Sequence, residues 1–476
     1  MPDNAVALEE LFAIVGDVGL FRGDEMEPFL TDWLEHYHGT ALAVVRPSTT
    51  EEVSAVVRCC ARHGVSVVPQ GGNTGLCGGA IPTETPSVVL SLRRMNTIES
   101  VDPERFSMTV QAGVTVEAIQ DAASEAGRSF APDWGARGSA TIGGAISTNA
   151  GGINVLQSGP MRENILGLEV VLADGRVWNG LRALRKDSSG LDLKHLFIGT
   201  EGTLGVVTKA VVRLRPQLHH HQTAFAAIAD IDRLLELLTI AQSHGQGSLT
   251  AFELVPELGV AAVCENFPSV QRPLATKAEW YALIRMSGSE PVTDRLTALL
   301  AKAEEQRLVV DAAIASTADQ EANIWMLRDE LPPQRLFPHG DAGLKLDVAV
   351  PIDVVPQYLA EVVRRAAEMI PGTLPYAFGH AGDGNLHLYL MPAIDAGPAE
   401  VANFTANREA LEAEVNKITW RYGGTISAEH GIGQSLREKI AGQKSDVEFD
   451  LMRTVKHALD PDGLFNPGKL LPDLDR

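Results

Sequence analysis

Pro69-Gln-Gly-Gly-Asn-Thr-Gly-Leu-Cys-Gly-Gly79 sets five glycines in eleven residues. Two further stretches share its character: Ile142-Gly-Gly-Ala-Ile-Ser-Thr-Asn-Ala-Gly-Gly152 and Gly199-Thr-Glu-Gly-Thr-Leu-Gly205. A residue without a Cβ lets backbone N–H groups come close to an anion and adopt positive φ. Successive N–H groups then form a concave anion site. Asn73, Thr74, Ser147, Thr148, Asn149 and Thr200 stand beside these glycines as further donors. One such cluster alone is a set of tight turns; three in one half of a chain point to a dinucleotide pyrophosphate.

Two common nucleotide sites fail the test of context. A Rossmann turn needs its glycines to open a helix inside a βαβ unit. Here Gly79 is followed by Ala-Ile-Pro-Thr-Glu-Thr-Pro86, a poor helix, and then by another strand-like run. Gly463-Leu-Phe-Asn-Pro-Gly-Lys-Leu470 has Walker-like spacing. It puts Leu470 where a Mg²⁺-binding hydroxyl belongs, so it reads as a tail segment.

Around the clusters, short β-branched runs at 66–69, 87–91, 107–111, 168–172 and 205–213 predict strands, and 51–62 and 116–126 predict helices. Beyond Arg215-Pro216 the chain reads as more helical, at 231–243, 291–305, 317–330, 352–369, 398–422 and 447–459. Strand-like pieces lie at 343–350 and 386–390, and His219-His-His221 reads as a solvated linker. The fold class is therefore α+β, a glycine-studded β domain followed by a mixed one. The 476 residues carry 40 Lys and Arg against 61 Asp and Glu, a formal charge of −21 that would repel nucleic acid. No apolar run is long enough to span a bilayer. The four cysteines show neither metal nor disulfide spacing, Cys59-Cys60 read as core filler and Cys77 as packing. With acidic residues at the N-terminus where a signal peptide needs basic ones, the expected setting is reducing and cytoplasmic.

Gly379-His-Ala-Gly-Asp-Gly-Asn-Leu-His387 and Ser427-Ala-Glu-His-Gly-Ile-Gly433 carry the candidate chemistry. Two imidazoles and a carboxylate make an open metal site, so His380, His387 and Glu429 are candidate ligands and His430 a candidate base. Spacing alone leaves structural histidines, or an iron site, equally open.

The three glycine segments, the third extended to Phe197-Ile-Gly-Thr-Glu-Gly-Thr-Leu-Gly-Val-Val-Thr208, resemble the FAD-binding domain of the vanillyl-alcohol oxidase/p-cresol methylhydroxylase superfamily. Within it the chain resembles the branch of D-lactate dehydrogenases, glycolate oxidase subunits and D-2-hydroxyglutarate dehydrogenases, over roughly residues 35–472. Residues 1–34 read as an N-terminal helical segment, and the resemblance implies a two-subdomain FAD-binding domain at 35–216, an α+β cap at 217–425 and a C-terminal segment at 426–476 that returns to the FAD domain. It implies FAD held by Pro69, Gln70, Gly71, Gly72, Asn73, Thr74 and Gly75 at the pyrophosphate. Ser139, Thr141, Gly143, Gly144, Ser147, Asn149, Gly151, Gly152, Glu201, Gly202, Gly205, Val206, Val207 and Asn466 complete the implied FAD site. Some members tether flavin through a histidine in the first loop; Asn73 and no histidine there imply non-covalent FAD.

The same resemblance assigns His380, His387 and Glu429 to a divalent metal, usually Zn²⁺, and His430 to the base. It assigns Arg328 and Lys345 to the substrate carboxylate, where sequence alone would leave each as a surface ion pair. The implied reaction is oxidation of a D-2-hydroxy acid by hydride transfer to flavin N5. Its partners are a small 2-hydroxy acid and a soluble electron acceptor such as electron-transferring flavoprotein, in an assembly that admits a homodimer. Two departures bear on substrate: Pro332 stands where hydroxyglutarate-type members have Thr, and Tyr389 where they have Asn. The distal carboxylate is then bound differently, with Tyr389 as a candidate contact, or the substrate is another 2-hydroxy acid. Two readings from other classes stand beside this one. One is a non-flavin hydrolase or Fe(II) oxygenase using the His/His/Glu set; the other is a flavin-binding subunit without catalysis of its own.

Overall fold

Why residues 50–63 form a helix is legible at both ends. The Thr49 hydroxyl accepts from the Glu52 N–H at 3.1 Å, and Gly64 ends the helix Thr50–His63 at φ 64°. Between them Val53, Val56, Val57 and Cys60 fall on one buried face. The helix Val116–Glu125 repeats the device, with Thr115 capping Ala118 N–H at 3.2 Å.

The computed structural model describes residues 4–184 and 186–472, which divide into two compact units. Among those residues, the first unit takes in 4–152, 158–217 and 429–472, and the second 153–157 and 218–428.

The first unit holds two larger sheets. One orders Leu20–Phe21, Ala43–Val45, Ser87–Ser91 and Ser66–Gln70, its last three strands parallel. The other orders Ile98–Asp102, Ser107–Gln111, Val206–Arg213, Ile165–Val171 and Val177–Gly180, all antiparallel. Parallel strands covered on both faces read as unbroken apolar runs, as in the buried Ala43–Val45. The first glycine cluster leaves the end of Ser66–Gln70, and the third launches Val206–Arg213. The second is no loop: it forms the short helix Ile142–Thr148. The presumed tail docks in this unit, Phe465 bridging Val67 in parallel.

The second unit departs from its helical expectation. Its helices are present, among them Leu234–Gly245, Thr293–Glu305, Ala318–Asp329, Val355–Met369 and Pro398–Arg421. They accompany a four-stranded antiparallel sheet ordered Leu249–Pro256, Trp280–Gly288, His220–Ile228 and Val309–Ile314. The supposed linker histidines His220 and His221 begin the third of these strands, with His221 Nδ1 2.9 Å from Ser287 Oγ. A three-stranded sheet follows, ordered Leu344–Ala349, Asn385–Pro392 and Thr373–Phe378. Leu254 and Gly379 exchange two backbone hydrogen bonds of 2.8 and 3.1 Å and so join the two sheets.

Because the Thr49 hydroxyl satisfies an otherwise orphaned helix N–H, Thr49→Ala should lower unfolding free energy by about 1 kcal/mol in urea titrations, with unchanged m.

Candidate functional site

In the first unit the glycine clusters converge on a cavity of about 610 Å³, a size that suits a cofactor. Close approach is what demands glycine here. A Cβ on Gly72 would sit 2.1 Å from the Ser139 carbonyl oxygen, and one on Gly71 2.3 Å from Thr141 Oγ1. Among the described residues, none accepts a hydrogen bond from the N–H groups of residues 71–75. Thr141 Oγ1 is likewise buried without a partner. An orphaned hydroxyl beside a run of unused backbone donors fits an anionic group such as a pyrophosphate.

The expected side-chain donors have other work. Asn73 donates to Thr31 O at 2.8 Å, Ser147 to Gly143 O at 2.8 Å, Thr148 to Gly144 O at 3.2 Å and Thr200 to Phe197 O at 2.9 Å. Asn149 accepts from Arg162 N at 2.9 Å and, unlike its neighbours, is absent from the cavity wall. Asn466 also stands behind the wall, its amide donating to Gly79 O at 2.9 Å and Glu201 O at 2.7 Å. The other residues expected to hold FAD, from Pro69 through Val207, all line the cavity. Trp134 and Cys77 line it too, and the Cys77 thiol donates to Gly431 O at 3.2 Å.

Glu429 and His430 complete the wall, and Glu429 Oε1 accepts from Gly152 N at 3.0 Å. Their segment is clamped by Glu201, whose two carboxylate oxygens accept from Ile432 N at 2.6 Å and Gly433 N at 2.7 Å. Burial raises the Glu201 carboxyl above its ordinary range against the pull of those two amides and Lys469. Lys469 is itself pushed down to about 8 by burial. Glu201 holds φ 52°, a left-handed conformation costly outside glycine and typical of sites where the fold overrides local preference.

The second unit gathers the other candidates. Register puts Asp347 opposite His387 and Lys345 opposite Tyr389, with Phe378 and Tyr376 as their partners on the third strand, so these side chains share one face. The His380 and His387 rings lie 5.4 Å apart at 79°. Arg328, expected at the surface on sequence alone, is buried: its guanidinium carbon is 5.3 Å from the Phe378 ring centre, and Nε donates to Glu253 Oε2 at 2.7 Å. Lys345 is exposed. Burial pushes the Tyr389 phenol up, with a hydrogen bond to Gln334 opposing, so it stays neutral.

Glu253 escaped the sequence reading. It is 1% exposed, and its other oxygen lies 2.7 Å from His380 Nδ1. Burial alone would raise this carboxyl, but His380 and Arg328 outweigh it and hold it down to about 2. The available signal was a lone acid inside the apolar run Ala251-Phe-Glu-Leu-Val255.

Known families match stretches in both units. Residues 41–180 match the FAD binding domain family, and 217–470 match the C-terminal domain of FAD linked oxidases. The mitochondrial D-2-hydroxyglutarate dehydrogenase of Arabidopsis thaliana is 35% identical over 96% of this chain and 80% of its own length. The D-2-hydroxyglutarate dehydrogenase of Xanthomonas citri pv. viticola is 37% identical over 95% and 93%. In fold, the chain is similar to p-cresol methylhydroxylase with substrate bound, with TM-score 0.75 and 18% identity over 99% of this chain and 97% of that one. The expectation of a cytoplasmic setting is overturned: the Arabidopsis relative, like those of Danio rerio and Bos taurus, is named as mitochondrial. Reduced cysteines report a redox state, which a cytosol does not own. Among the described residues no helix is long and apolar enough to cross a membrane.

The 2.1 Å approach at Gly72 leaves no room for a methyl group. Gly72→Ala should therefore lower flavin affinity by at least about tenfold, measured as FAD retained through gel filtration, while far-UV circular dichroism is preserved.

Proposed function

The chain belongs to the FAD-linked oxidases, and on that footing we propose that it is a dehydrogenase converting a D-2-hydroxy acid, of the D-2-hydroxyglutarate or D-lactate class, to the 2-oxo acid. The observation that carries this reading is His430 in the wall of the same cavity as the glycine cradle. A base belongs there because the reaction removes a proton from the 2-hydroxyl and a hydride from C2. Bound non-covalently in that cradle, FAD supplies the two-electron acceptor that side chains lack.

The residues then divide the remaining work. Arg328, its Nε already held by Glu253, offers its Nη groups to the substrate carboxylate, a pairing that suits a planar fork. Lys345 adds positive charge from the exposed end of the same sheet face, and the neutral Tyr389 hydroxyl a hydrogen bond. His430 takes the hydroxyl proton, since an imidazole nitrogen can accept a proton and pass it on.

His380, His387 and Glu429 would hold a divalent ion, Zn²⁺ by donor type, whose charge lowers the pKa of the hydroxyl. The arrangement behind the two imidazoles supports this: Glu253 lies 2.7 Å from His380 Nδ1 and Asp347 3.9 Å from His387 Nδ1. A carboxylate at hydrogen-bond distance from Nδ1, as at His380, favours the tautomer whose Nε2 lone pair would face a metal. Ala428, the residue before Glu429, donates to the backbone of Asp347 at 3.2 Å, directly across the sheet from His387.

The FAD-binding family match removes the ground for a non-flavin hydrolase or oxygenase. For the electron acceptor we favour a soluble carrier such as electron-transferring flavoprotein, and the assembly admits a homodimer.

His430→Ala should leave the protein yellow yet cut dye-coupled turnover of D-2-hydroxyglutarate and D-lactate by at least about a hundredfold, the usual scale of a lost general base. Full turnover in that variant would remove His430 from the reaction. Dialysis against a chelator should abolish turnover without releasing FAD, and added Zn²⁺ should restore it.

A further inference from the structure

Glu253 touches neither substrate nor metal in the chemistry above and enters it only through two residues that do. Its Oε1 lies 2.7 Å from His380 Nδ1 and its Oε2 accepts from Arg328 Nε at 2.7 Å, so each oxygen serves one partner. Main-chain pairing fixes this arrangement rather than side-chain chance. Leu254, the next residue, is hydrogen-bonded in both directions to Gly379, the residue before His380. Arg328 comes from a separate helix, Ala318–Asp329, and is buried with Glu253.

We propose that Glu253 is a positioning residue that ties the metal ligand His380 to the anion-binding Arg328, so that metal affinity and substrate affinity are set by one carboxylate. The proposal rests on the reading that His380 holds a metal and Arg328 a substrate carboxylate. An ionised carboxylate only accepts hydrogen bonds. It therefore requires the proton of neutral His380 on Nδ1 and leaves the Nε2 lone pair for a cation. On its other side it fixes the guanidinium at Nε, which settles the direction of the two Nη donors. A carboxylate that only neutralised a buried arginine would have no reason to contact His380 with its second oxygen.

Glu253→Gln separates these roles with almost no change of shape. An amide has one acceptor side, one donor side and no charge, so the contact its oxygen keeps is weakened, while at the other its N–H meets an N–H or drives His380 into the opposite tautomer. Zn²⁺ is titrated into metal-free, FAD-loaded protein against a competing chromophoric chelator, and KM for D-2-hydroxyglutarate and D-lactate is then measured at saturating Zn²⁺. The expected result is Zn²⁺ affinity reduced about 10–100-fold. KM should rise about tenfold for the better substrate, the scale of one disturbed charged hydrogen bond. The flavin spectrum should be unchanged.

Wild-type Zn²⁺ affinity together with wild-type KM would overturn the proposal, and so would a loss confined to one of the two. His380→Ala distinguishes that failure from failure of the underlying reading: if it binds Zn²⁺ as wild type does, His380 is no ligand and the site itself falls. Should Glu253→Gln not fold, Glu253→Asp keeps the charge while withdrawing it by one methylene. It must show the same paired loss to smaller extent, and unchanged values of both would be contrary evidence.

Discussion

Backbone contact without side chains between them is the constraint on which the first unit depends. Residues 71 and 72 press against Ser139 and Thr141 more closely than any Cβ would permit. Among the described residues nothing accepts from the row of N–H groups there, which is tolerable only where a ligand or water satisfies them. The polar side chains nearby serve as struts rather than as ligands. Asn73 ties the loop to Thr31, Asn466 ties Gly79 to Glu201, and Glu201 in turn holds the amides of Ile432 and Gly433 just beyond His430. Gly79 at the end of the cradle and the segment that carries His430 are thus joined through Asn466 and Glu201 by one set of hydrogen bonds.

The second unit faces a different constraint, which is how a chain of net charge −21 keeps positive charge in its interior. A solvated lysine contributes little against such a field, whereas a buried guanidinium acts at low dielectric and must be paired to be affordable. Arg328 is paired with Glu253, and Glu253 reaches His380 as well. Local charge is therefore arranged in a compact cluster instead of being spread over the surface.

Much of this was legible in the sequence because the signals are local. Glycine clusters announce close backbone approach, capped amphipathic runs such as 50–63 announce helices, and the spacing of His380 and His387 announced a pair of imidazoles that do stand together. The four-stranded sheet of the second unit was not legible. His220–Ile228 carries Ala224, Ala226 and Ala227, poor strand formers, and Leu249–Pro256 is buried throughout and so lacks alternation. Missing that sheet also hid Glu253, since a lone acid in an apolar run acquires meaning only when pairing with Gly379 brings His380 beside it. Asn149 and Thr200 misled in the opposite sense, because a polar side chain next to glycine is as readily a strut as a donor. Compartment was misread because thiol content speaks only of redox conditions.

The central claim is that substrate electrons pass to a flavin held in the glycine cradle. Its most direct measurement is the visible spectrum of the purified protein under anaerobic conditions as single enantiomers of 2-hydroxy acids are added. The account predicts that the flavin band bleaches with a D-enantiomer and persists with its L-counterpart. A protein that carries no flavin and takes none up, or one whose flavin stays oxidised with every D-2-hydroxy acid, would contradict it.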